Sequence, residues 1–178
     1  MTFEQDFALY RYMVAELNEF LAHEKVFWPL LGMSQQLSVG LLLLVQKRLN
    51  ARVCPPAAQG ELERFNARVE TARQQQPAAF AQKAEKEWNS RLNLWRSFWE
   101  NDTGATASDN YLTAATHRAV LTLLAANFPE IAARVPLDHL DAVDALARPR
   151  LKTNAFLWPT DLQAAFPIEN FWFLHSKL

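Results

Sequence analysis

The chain has 178 residues, 50% of them hydrophobic and 12% aromatic, a composition that excludes a disordered chain and supplies material for a core. Its 18 basic and 19 acidic side chains are evenly spread (five and five in 1–60, seven and six in 61–100, six and eight in 101–178), which offers no basic surface for the phosphates that dominate nucleic-acid binding. Four glycines leave little for phosphate cradles or nucleophile elbows, which consume glycine for positive φ and close backbone approach.

One helical domain over 1–178 is expected, since a chain of this length buries roughly 70% of its unfolded surface and needs neither disulfide nor metal for stability. Cys54 is the lone cysteine, which excludes an internal disulfide and fits a reducing compartment. The N-terminus reads Met1-Thr2-Phe3-Glu4-Gln5-Asp6, acidic where a signal peptide is basic. The densest apolar run, Leu37 to Val45, is far short of the ~20 residues that span a bilayer. A cytoplasmic protein with no membrane and no nucleic-acid partner is the expectation.

In chain order, Thr2 and Gln5 form a capping-box pair ahead of apolar residues at Phe3, Phe7, Tyr10, Val14, Leu17 and Leu21, the seam of an amphipathic helix. Pro29 sets its expected end near Phe27-Trp28. A second helix is expected from Ser34 as N-cap through Leu37, Leu41, Leu44 and Leu49, apolar nearly all round and ending before Pro55-Pro56. From Ala57 to Glu100 two helical stripes follow, Leu62, Phe65, Val69, Ala72 and then Phe80, Ala84, Trp88, Leu92, Trp95, Trp99. Pro77 between them either kinks one long helix or opens a new one. Asn101 to Asn110 reads as a loop, with Ser108 or Asp109 capping a helix through Leu112, Ala115, Ala119 and Leu123 to Asn127.

The remainder, 128–178, is cut by prolines into short helical turns at Pro129 to Val135, Asp138 to Ala147 and Thr160 to Phe166. No strand alternation is visible, apart from Phe171 to Leu174 as a short extended piece. The expected fold is an all-α bundle of about five to seven helices, with core helices over 3–127 and a proline-punctuated, partly irregular tail.

Candidate chemistry is sparse. Glu16, Glu19 and His23 have helical ligand spacing, but they lie roughly 140–160° from the apolar seam and so face water. His23, His117, His139 and His175 are weak metal candidates in unrelated sequence settings, and no metal or other cofactor is expected. Asp138, Asp141 and Asp144 lack the glycine and terminal glutamate of a Ca²⁺ loop. A helix cap at Asp138 followed by two solvated acids accounts for them. No Gly-x-Ser-x-Gly or P-loop motif is present, so no enzyme is indicated.

Four prolines follow an aromatic residue: Trp28-Pro29, Phe128-Pro129, Trp158-Pro159 and Phe166-Pro167. Aromatic plugs at helix ends account for them, the alternative being a ligand mouth. Phe171-Trp172-Phe173-Leu174 cannot all point one way, so some must cover a second surface on this chain, a partner or a ligand. These features give two functional expectations. The first is a non-catalytic helical protein that associates with a protein partner or a second copy of itself. The alternative is a small-molecule or metal-binding bundle with Trp28, Trp95, Trp99, Trp158, Trp172 and His175 on its pocket.

Overall fold

The structure is a computed structural model and describes residues 2–101, 107–134, 137–154 and 156–178. It is predominantly helical, with an irregular, proline-containing C-terminal stretch. Among the described residues there are more helices than five to seven: eight α-helices and three short 3-10 turns, together with two two-stranded β-ladders that were not expected. None of these helices is long and apolar enough to cross a membrane. The chain divides into two compact units, Met1–Glu87 and Trp88–Leu178.

In the first unit, α1 (Phe3–Ala22) begins with the expected capping box, in which Thr2 and Gln5 exchange backbone and side-chain hydrogen bonds. It ends at Ala22, before the expected stop near Phe27-Trp28, because another group satisfies the backbone there. Lys83 Nζ donates to the carbonyls of His23 and Lys25 at 2.6 and 2.7 Å and lies 4.2 Å from the Phe20 ring. The chain then makes β1 (Trp28–Pro29), turns through Leu30 to Met33, and returns as β2 (Gln36–Leu37) with Trp28 opposite Leu37. Gly32 sits third in that turn at φ 76, the left-handed position that glycine occupies without strain. This ladder takes up the residues expected to start the second helix, so α2 (Val39–Asn50) is capped by Ser38, not Ser34.

The apolar faces of α1 and α2 meet as their spacing implies, with Tyr10, Met13, Phe20, Leu44, Val45 and Leu49 fully buried. Burial of each such side chain contributes about 1.5–3 kcal/mol. α3 (Pro56–Gln75) packs on α1 through Phe65, whose ring meets Phe7 and Tyr10 at 5.9 and 6.1 Å. Pro77 opens a new helix, α4 (Pro77–Asn101), after Gln76 leaves helical geometry at φ -130, ψ 51. Cys54 is a half-buried free thiol in the α2–α3 connection.

The second unit holds the rest of α4, then α5 (Ala107–Asn127), α6 (Pro129–Arg134), α7 (Leu137–Ala147) and α8 (Ile168–Phe171). Of the predicted 101–110 loop, residues 102–106 lie outside the described residues, while Asn101 and 107–110 are helical. α5 is already helical at Ala107, so Ser108 and Asp109 belong to its first turn and do not cap it. Likewise α7 starts at Leu137, which puts Asp138 within the helix. The Trp88, Leu92, Trp95, Trp99 stripe is buried throughout. Phe171 to Leu174 is not extended: Phe171 ends α8 and Trp172–His175 forms a 3-10 turn. The extended pieces are β3 (Lys152–Thr153) and β4 (Ser176–Lys177), which pair antiparallel. The amides of Asn154 and Leu157 continue the association by donating to the His175 and Leu174 carbonyls.

Candidate functional site

The ends of α4 and α5 run side by side in opposite directions, as three ring and side-chain pairs establish. Arg91 meets His117, while Phe98 and Trp99 both meet Tyr111. Between the helices lies a groove of about 490 Å³, within the size range of small-molecule sites. Its α4 wall is Leu94, Ser97, Phe98 and Asn101, and its α5 wall is Asn110, Thr113, Ala114 and His117. Both sets have the i, i+3, i+4, i+7 spacing of one helical face. Leu94, Phe98 and Ala114 give the apolar surface, with Leu94 45% exposed.

His117 has a defined chemical state. Arg91 Nη1 lies 2.8 Å from its Nδ1, and because a guanidinium only donates, Nδ1 accepts. Burial, reinforced by the Arg91 charge, lowers its pKa from 6.5 to about 4. The ring is therefore neutral at pH 7 with its proton on Nε2, which makes it a donor at that atom. On the facing wall, Asn101 Nδ2 donates to Ser97 Oγ at 3.1 Å, which leaves the serine hydroxyl proton to point elsewhere. No carboxylate, amine or thiol is among these lining side chains. The lining thus offers hydrogen-bonding groups and apolar surface.

Of the residues singled out in the sequence, His117 lines the groove and the others lie elsewhere. Trp28 is in the first unit, where its indole donates to Glu16 and its ring meets His23 at 5.1 Å. Trp95 and Trp99 are buried in the second unit and meet edge-to-face at 5.1 Å. Trp158 is half-buried against Phe166 at 5.0 Å, so two of the four aromatic-proline corners touch. Trp172 is half-buried beneath Arg148, whose guanidinium carbon is 4.0 Å from its ring. His175 is buried, with Nε2 2.9 Å from the Phe166 carbonyl. The second surface required for the tail is this chain itself in the case of Phe171, Phe173 and Leu174, all of them buried. His23 and His139 are exposed, and among the described residues no group of three or more His, Cys, Asp or Glu side chains is placed to hold a metal ion.

Asp144 is not solvated: it is 6% exposed and takes a two-pronged ion pair from Arg118, with contacts of 2.8–3.2 Å. The Trp95 indole also donates to it at 3.0 Å. Arg118 in turn lies 5.0 Å from the Phe173 ring, and Tyr111 Oη donates to the Phe173 carbonyl at 2.7 Å. This network fixes α5, α7 and the tail, and so sets the α5 face that lines the groove. Sequence reasoning missed the groove because it followed the apolar stripe of α4. The available signal was Leu94 and Phe98, two large apolar residues off that stripe with Ser97 and Asn101 interleaved.

No protein-family model, curated protein or solved structure matches this chain.

Proposed function

We propose that the chain is a non-catalytic helical binding protein whose α4–α5 groove takes a small amphipathic molecule. The supporting observation is the lining itself: an apolar floor at Leu94, Phe98 and Ala114 beside a His117 ring kept neutral chiefly by burial and oriented by Arg91. Polar groups at defined positions beside apolar surface in one concavity are a feature of such sites. The test is a titration with N-phenyl-1-naphthylamine, an uncharged fluorophore of suitable size. Saturable one-to-one binding is expected, weakened at least about tenfold by Ser97→Trp or Thr113→Trp, exposed positions where a large ring fills the groove. Unchanged binding in both variants overturns the reading.

Association with a protein partner or a second copy of the chain is a second reading, supported by Ile168, which is 48% exposed four residues before the half-buried Trp172. Sedimentation of the parent and of Ile168→Asp distinguishes it. A larger mass for the parent that falls in the variant supports the reading, and a monomer in both refutes self-association.

A further inference from the structure

We propose that the α4–α5 groove selects a ligand bearing a carboxylate, held by donors from both walls. This rests on the small-molecule reading of the groove and specifies its ligand class.

The two walls reach the same polarity independently. On α5, the acceptor atom of His117 is consumed by Arg91 at 2.8 Å, so the ring offers only its Nε2–H. On α4, Ser97 Oγ accepts from Asn101 Nδ2 at 3.1 Å, so the hydroxyl offers its proton. The His117 ring can only donate, and Ser97 keeps its hydroxyl proton while its oxygen is engaged by Asn101. An incoming acceptor therefore meets donors on both walls, whereas an ammonium group finds no carboxylate among the lining residues.

A carboxylate is favoured over a neutral acceptor by the charge behind His117. Arg91 donates into the imidazole, and a donor that is itself accepting from a cation becomes more acidic and a stronger donor. The chain guanidinium–imidazole–carboxylate brings the positive charge of Arg91 to bear on the ligand while Leu94 and Phe98 cover its apolar part. Because the ring stays neutral, this polarity is constant across the physiological range and does not depend on protonation of the site.

The experiment uses three probes with one tail and different heads: octanoate, octan-1-ol and octylammonium, each titrated below its micelle concentration at pH 7 into the full chain and followed by amide and imidazole NMR shifts. Octanoate should bind at least about tenfold more tightly than the other two. Ser97→Ala and His117→Phe should each weaken octanoate several-fold and leave octan-1-ol unchanged. The serine is exposed, so the first variant keeps the test valid if the second fails to fold. Octylammonium or octan-1-ol binding as tightly as octanoate overturns the carboxylate preference while the groove reading stands. Binding of none of the three at Ser97 and Thr113 overturns both.

Discussion

Removing Asp144 should destabilise the second unit severely. Its carboxylate is 6% exposed and is shared between Arg118 and the Trp95 indole, so Asp144→Ala strands a guanidinium that is itself 9% exposed beside the Phe173 ring. Breaking a buried pair from one side costs about 3–5 kcal/mol. At about 2–4 °C per kcal/mol for a chain of this size, the melting temperature should fall by about 6–20 °C. Asp144→Asn retains an acceptor for the indole and should spare about 1 kcal/mol of that loss. The double variant Arg118→Met/Asp144→Leu removes both charges and should recover at least about half of the single-variant loss, because apolar replacement of a buried pair is often neutral or better. Urea unfolding followed by circular dichroism and tryptophan fluorescence measures these differences through the midpoint, provided the slope is unchanged. Single variants costing under about 1 kcal/mol, or a double variant as damaging as the sum of the two singles, would refute a buried, coupled pair.

The buried Glu87 accepts from the Ser38 hydroxyl and the Gly40 amide, both at 2.7 Å, so Glu87→Ala should cost about 2–4 kcal/mol in the same assay and Glu87→Gln about half as much. Gly32→Ala should cost about 1–2 kcal/mol through its backbone alone, since φ is 76 and an added Cβ meets nothing within 4 Å; no loss on melting would refute the turn assignment. His117 titrates near pH 4 in the fold against 6.5 for the free side chain, so between those values the unfolded chain binds the extra proton. Its contribution of about 1–3 kcal/mol is complete above pH 6.5 and is lost as pH falls towards 4. His117→Gln should flatten that part of the pH–stability profile, and the ring's ¹⁵N shifts should stay constant between about pH 8 and about pH 5.5. A one-domain chain should give a single calorimetric transition whose calorimetric and van't Hoff enthalpies agree; two resolved transitions would assign the units Met1–Glu87 and Trp88–Leu178 separate stabilities.

Periodicity carried much of the helical architecture. The 4, 3, 4, 3 spacing of α1, the Thr2–Gln5 cap and the tryptophan stripe of α4 are all realised, because these signals are local and depend on one helix having one apolar side. Boundaries set by distant groups were not legible. α1 stops early because Lys83, some sixty residues away in sequence, occupies the carbonyls beyond its end, and Ser38 replaces Ser34 as a cap because Gln36–Leu37 pairs back onto Trp28–Pro29. Buried charge was the largest blind spot. Asp144 reads as a solvated acid until Arg118 is placed, and no local pattern marks Asp6 with Arg48 and Arg52, or Glu87 with Ser38, as buried. The groove escaped for a related reason: the pairing of Arg91 with His117, on which its polarity depends, joins two helices whose register no local pattern specifies.

The depth at which the ion pairs lie also governs how the protein responds to its solvent. Counterions screen charges that water reaches, over about 8 Å at physiological ionic strength, and act far less on charges enclosed by protein. Arg11–Glu61, with side chains 54% and 31% exposed, belongs to the first kind and should fade as salt is added. Arg118–Asp144 and the pairs on Asp6, all at most 10% exposed, belong to the second. A chain whose important charges are enclosed in this way keeps their contribution from dilute buffer to concentrated salt.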